Sequence, residues 1–195
     1  RLMTVLAATA LLAACGTTAN TARGYQGPPV VDQAGRTMKH YLGPQVEVLV
    51  DYGFAAENVG EEWLALGVSF TGTQAESEEI HRDGVSLRTP DGRRVFLPSQ
   101  EEFIESFNQV QSLTRRATLA TQPLDFTGAD RRRGALSFLP LPGTAVARES
   151  VYVNYRTLYS GMLYFPVPGG VQPGTWKLVV DLEENRVEIP FTLEP

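Results

Sequence analysis

The sequence predicts an all-β protein: an antiparallel β-sandwich of about nine short strands, with one inserted amphipathic helix. Three observations predict it. Apolar residues alternate with polar or small ones along most of the chain after Pro44, turn-forming residues separate the alternating runs, and no regular succession of helices marks a parallel α/β sheet.

The first run sets Val46, Val48, Val50 and Tyr52 against Glu47, Leu49 and Asp51, and the second sets Leu64, Leu66, Val68 and Phe70 against Ala65, Gly67, Ser69 and Thr71. Side chains in a strand point alternately to its two faces, so each run offers one continuous apolar row. Val85 and Leu87 connect to Val95 and Leu97 through Thr89-Pro90-Asp91-Gly92. There the proline fixes φ and the glycine accepts a positive φ. Further strands are expected at Ala135–Leu139, Val151–Tyr155, Met162–Val167, Trp176–Leu182 and Arg186–Leu193. Glu183-Glu184-Asn185 fits a short hairpin between the last two. Pro190 lacks the N–H that an inner strand must donate, which predicts an edge position.

One stretch has a different period. Ser99-Gln100-Glu101-Glu102 has the form of a capping box, with Ser99 as N-cap and Glu102 at the third helical position. Phe103, Phe107 and Val110 follow at i, i+4 and i+7, with Ile104 and Leu113 beside them. The expected helix covers residues 100–116, with Arg115 and Arg116 in its last turn. It either plugs one end of the sandwich or presents Phe103 and Phe107 to a partner.

Composition narrows the function. The 195 residues include 17 Lys+Arg and 22 Asp+Glu, for a net charge of −5, and one Cys. That balance gives no basic field for nucleic acid, and one Cys permits neither an internal disulfide nor a cysteine-rich zinc site.

The opening is a separate segment. Apolar residues run from Val5 to Ala14, broken by Thr9, after Arg1. This matches a signal-peptide core and falls short of the roughly 20 residues that span a bilayer as a helix. Leu12-Ala13-Ala14-Cys15-Gly16 then resembles a bacterial lipobox. The resemblance implies that residues 1–15 are a partial lipoprotein signal peptide and that Cys15 becomes the lipid-modified first residue of the mature protein. Two or more acyl chains would anchor it stably. The membrane is then one partner, through that lipid, and the location is the cell envelope. Gly16 in place of Asp favours the periplasmic face of the outer membrane in a Gram-negative source. Cleavage removes Arg1 and no acid, taking the net charge from −5 to −6. Residues 16–44, with Gly27-Pro28-Pro29 and Gly43-Pro44, read as a flexible tether to a domain over 45–195.

Gly161-Met162-Leu163-Tyr164-Phe165-Pro166-Val167-Pro168 and Gly174-Thr175-Trp176-Lys177-Leu178-Val179-Val180 resemble the end of immunoglobulin-like domains of bacterial lipoproteins of unknown function. Ala56-Glu57-Asn58-Val59-Gly60-Glu61-Glu62 is similar to an early turn in that group. The resemblance implies an immunoglobulin-like sandwich and brings no shared catalytic residues with it.

Catalytic chemistry finds little support. There is no G-x-S-x-G motif, and His40 and His81 are the two histidines. Glu76, Glu78, Glu79 and Asp83 surround His81, without the spacing of a calcium loop, so the segment reads as a charged loop. No catalytic residue, metal site or cofactor is assigned. The ligand or partner candidates are Arg131, Arg132 and Arg133, which offer bidentate donors for an anion, and the aromatics Tyr152, Tyr155, Tyr164, Phe103 and Phe107. The expected function is a lipid-anchored, non-catalytic interaction or assembly module with an envelope protein as partner. The alternatives are an extracytoplasmic binder of glycans or anionic ligands, and a hydrolase of unknown type.

Overall fold

The computed structural model describes residues 23–120 and 131–195, with residues 118–120 described by their backbone alone. The expected leader, Cys15 and the first part of the tether lie outside the described residues.

The alternating runs do form strands, and the described residues hold twelve of them in sheets that do not close into a barrel. They are β1 (Val30–Gln33), β2 (Met38–Leu42), β3 (Val46–Asp51), β4 (Trp63–Gly72), β5 (Glu78–His81) and β6 (Val85–Arg88). Next come β7 (Arg94–Phe96), β8 (Arg132–Ala135), β9 (Ser150–Val153), β10 (Thr157–Pro166), β11 (Gly174–Asp181) and β12 (Arg186–Leu193). A six-stranded sheet has the order β1-β2-β3-β4-β10-β8, a four-stranded sheet the order β12-β11-β6-β7, and β5 pairs with β9 as a two-stranded ribbon. The arrangement is that of an all-β sandwich. Pairing is antiparallel except where β8 runs parallel to β10.

The apolar rows meet between the two larger sheets. Val48, Val50, Leu64, Leu66, Val68 and Phe70 share one core with Val85, Leu87, Trp176, Leu178, Val180, Ile189 and Phe191. Tyr52 stacks on Phe191 across the gap, with ring centroids 5.3 Å apart. The turn at 89–92 joins β6 to β7, with Gly92 at φ 85° and the Thr89 N–H bonded to the Arg93 carbonyl. Pro190 lies in β12, an edge strand, where its missing N–H leaves no ladder bond unmade.

Four expectations are corrected. The strand expected at Ala135–Leu139 lies earlier, at Arg132–Ala135, and Leu136, Phe138 and Leu139 are buried without forming a strand. The tether expected over 16–44 already contributes β1 and β2 to the sheet, and its residues at 23–25 are pinned to the body. Both strands are short and mixed in polarity, with all of β1 exposed, so they carry no clean alternation. The acidic loop around His81 contains β5, whose Ile80 is buried while Glu79 and His81 face out. After a short helix α1 (Gly53–Ala56), the helix expected as one piece is two, α2 (Gln100–Glu105) and α3 (Phe107–Ala120), parted at Ser106, and Arg115 and Arg116 fall before the last turn of α3. The capping box is formed as expected, Ser99 and Glu102 each accepting from the other's backbone N–H.

The helices cover a sheet face rather than an end of the sandwich. Ala65 and Tyr164 lie on the face of β4 and β10 that points away from the main core. Phe103, Val110, Leu113 and Ala117 pack on that face.

Candidate functional site

The strands give the body two ends. At one lie Pro44, Thr73, Asn154 and the start of β10, and at the other Trp63, Gly92 and Gly170. The first end gathers three chain segments. The Gly24 N–H donates to the Thr73 carbonyl at 2.6 Å, and Nε2 of Gln74 donates to the carbonyls of Tyr25 (2.9 Å) and Pro44 (2.7 Å). The Tyr155 N–H in turn donates to the Gln74 carbonyl at 3.0 Å. Asn154 shapes the turn into β10, its Oδ1 accepting from the Arg156 N–H at 3.0 Å.

This end holds Tyr155 between two arginines. The guanidinium carbon of Arg23 lies 4.5 Å from the ring centroid and that of Arg156 lies 5.1 Å from it. Nε of Arg156 also donates to the Tyr155 hydroxyl at 2.8 Å. Arg132 joins them, because its N–H donates to the Arg156 carbonyl at 2.7 Å and it pairs in register with Thr157. Arg23, Arg132 and Arg156 are all exposed.

The expected arginine triplet is divided. Arg131 is buried against Glu47, Nη2 to carboxylate at 3.3 Å, while Arg132 and Arg133 are exposed and open β8. Glu47 also contacts Nε2 of His40 at 2.8 Å, so β2, β3 and the approach to β8 meet on one carboxylate. Arg131 is therefore a packing and pairing residue in this state.

The aromatic candidates also separate. Phe103 is fully buried and stacks on Tyr164 at 5.3 Å, with Trp63 and Phe107 edge-on at 6.3 Å each. Packing thus withdraws Phe103 and Tyr164 from any partner-facing surface, and Phe107 is half-buried in the same cluster. Tyr152 is 56% exposed on β9. Its hydroxyl is bonded to Glu79, which pushes the phenol pKa up, while bonds from Ser150 and Tyr152 hold the Glu79 carboxyl below its usual value. Tyr155, at the arginine-rich end, is half-buried.

A pocket of about 100 Å³ lies at the other end, between Thr89, Asp91, Arg93, Val167, Gln172 and Trp176. It is well below the ~300–1,000 Å³ of most small-molecule sites. Among the described residues, no group of three or more His, Cys, Asp or Glu side chains is placed to hold a metal ion. No described helix is long and apolar enough to cross a membrane.

Arg23 and Arg156 escape sequence reasoning because the first lies in an aperiodic segment and the second in a turn. An arginine directly after Tyr155 was the one local signal. These features define an all-β, sandwich-like protein with an arginine- and tyrosine-bearing end beside its N-terminal entry. No family model matches the chain, and no curated protein or solved structure is significantly similar to it.

Proposed function

We propose that this chain is a lipid-anchored, non-catalytic protein of the cell envelope, whose immunoglobulin-like sandwich serves as an interaction or assembly module for an envelope protein. The observation that carries this reading is Leu12-Ala13-Ala14-Cys15-Gly16 behind an apolar run, followed after residues 16–22 by the folded body. Diacylation or triacylation of Cys15 gives stable membrane residence without a spanning helix. In a Gram-negative source, Gly16 favours the periplasmic face of the outer membrane. The module reading is supported by the exposed sheet edges, where β1 offers Val30 and Val31 at 38% and 37% exposure.

The test has two readouts. Intact-mass measurement on the protein isolated from cells gives acyl chains on Cys15 and a chain starting there. In-cell crosslinking and mass spectrometry of captured proteins then gives one or two dominant partners that are lost in Cys15→Ala. An unmodified Cys15 overturns the anchor. A properly acylated protein that crosslinks to no envelope protein overturns the module.

A further inference from the structure

We infer that the arginine-rich end of the sandwich is the face that meets the membrane, binding the anionic headgroups of the lipid surface that holds the Cys15 anchor. The inference rests on the lipid-anchor reading and adds to it an orientation and a contact surface.

Chain length makes the first case. Seven residues, 16–22, separate Cys15 from Arg23, and Arg23 and Gly24 are fixed to the body by the Tyr155 ring and the Thr73 carbonyl. The eight residue steps from Cys15 to Arg23 span at most roughly 29 Å. The body itself is comparably long, since the ten residues of β4 run from Trp63 at the far end to Gly72 at the near end, about 30 Å at strand rise. An acylated Cys15 therefore keeps the Arg23 end within reach of the headgroups, and the far end cannot take its place without the body rolling over on a short leash.

Charge makes the second case. The chain is acidic overall, yet exposed Arg23 and Arg156 meet on one tyrosine at this end, and exposed Arg132 is joined to Arg156 through its backbone. Arginine offers forked donors to phosphate oxygens, and tyrosine presents an apolar ring with a polar tip, a pairing suited to the headgroup layer. Acids on the same end have their own place. Exposed Glu76 lies between Gln74 and Ser77, which bond Tyr155 and Asn154, while Glu183 and Glu184 form the exposed β11–β12 hairpin of the other sheet and repel Glu78 beside it. The end is thus divided, and an anionic surface draws down the side carrying β8 and β10 while lifting the hairpin side. Net acidity and local attraction coexist because screening confines surface charge to about 8–10 Å. Each arginine brought to the surface favours it about fivefold.

The experiment uses the native acylated protein, whose intact mass is read first, reconstituted through its own anchor into phosphatidylcholine vesicles with and without phosphatidylglycerol. Acylation blocks Cys15, the chain's sole cysteine, so Gln26→Cys (near end) or Glu62→Cys (far end) supplies a unique thiol for a fluorophore. A lipid-borne quencher reports proximity. The Gln26 probe is expected to be strongly quenched with phosphatidylglycerol at low salt, and the Glu62 probe weakly. High salt, or combined Arg23→Gln, Arg132→Gln and Arg156→Gln, should abolish the difference while the acyl mass stays. A thermal melt confirms that the triple variant is folded, and the salt arm reads the same contact in the unsubstituted body. Equal quenching at both ends, or indifference to phosphatidylglycerol, overturns the orientation and leaves the anchor standing. An unacylated Cys15 removes both.

Discussion

Glu47 accepts a charge-assisted hydrogen bond from Nη2 of Arg131 at 3.3 Å, with each side chain only 7% exposed. The two residues are 84 positions apart, and the same carboxylate holds His40 of β2, so one acid fastens three segments on the outer face of the larger sheet. Removing one member of a buried pair strands the other charge, at about 3–5 kcal/mol. Glu47→Ala should lose stability of that order in urea unfolding at neutral pH. Glu47→Leu combined with Arg131→Met should cost clearly less than the two single changes added together. A loss in Glu47→Ala below about 1 kcal/mol would mean that water screens the pair.

This pairing also marks the limit of what the sequence made legible. The capping box, the turn at 89–92, the edge position of Pro190 and the period-two rows other than Ala135–Leu139 are local signals, and each forms as read. What escaped depends on distant partners. β2 is a strand because the β3 edge pairs with it, and β1 because β2 does in turn, not because Val30–Gln33 or Met38–Leu42 alternates cleanly. Arg131 reads like its neighbours Arg132 and Arg133 until Glu47 is placed beside it. Phe103 and Tyr164 could not be assigned to core or surface before the helices were known to lie on the second face of β4 and β10. The arginine-rich end is assembled from positions 23, 132 and 156, a separation that no motif spans.

Gly72 should resist substitution although its φ is ordinary. A Cβ there would sit 2.5 Å from Cα of Asn154 and 2.8 Å from the Val153 carbonyl oxygen, and neither backbone atom belongs to a side chain that could swing aside. Gly72→Ala must push β4 from the β9–β10 turn, an overpacking cost of about 1–3 kcal/mol. A thermal melt should show a several-degree drop. An unchanged midpoint would show that this end of the sandwich yields easily.

The helical cover should be separable from the sandwich. Phe103 is fully buried among Tyr164, Trp63 and Phe107, and truncating such a ring costs about 3–5 kcal/mol. Because this cluster lies on the opposite sheet face from the main core, Phe103→Ala should raise amide exchange in α2 and α3 before it does so in β11 and β12. Ser99→Ala, which removes the N-cap, should give a milder change of about 1 kcal/mol. Uniform acceleration across both sheets and the helices would show that cover and sandwich unfold as one unit.

Two carboxylates should pull the pH dependence in opposite directions. Burial raises the Glu78 pKa, and repulsion from Glu183 and Glu184 adds to it, outweighing a hydrogen bond from the Glu183 backbone. A carboxyl raised on folding weakens the folded state above that raised pKa, and the penalty vanishes below the unfolded value of about 4.3. Asp181 is the reverse case. Burial opposes its ionisation, but hydrogen bonds and attraction from Arg94 and Arg186 prevail and hold its carboxyl below the usual range. Its contribution is present above the unfolded pKa and is lost as pH falls through the lowered one. Glu78→Gln keeps an acceptor for the Glu183 N–H and deletes the charge, so it should stabilise the protein at neutral pH by roughly 0.3–1 kcal/mol. That gain should fade as acid protonates the unsubstituted side chain. Asp181→Asn should instead destabilise at neutral pH and converge on the parent protein in strong acid. Urea midpoints measured from pH 7 down to pH 3 read both curves. A Glu78→Gln variant less stable than its parent at pH 7 would show that the Glu183 contact requires the ionised carboxylate and outweighs the repulsion.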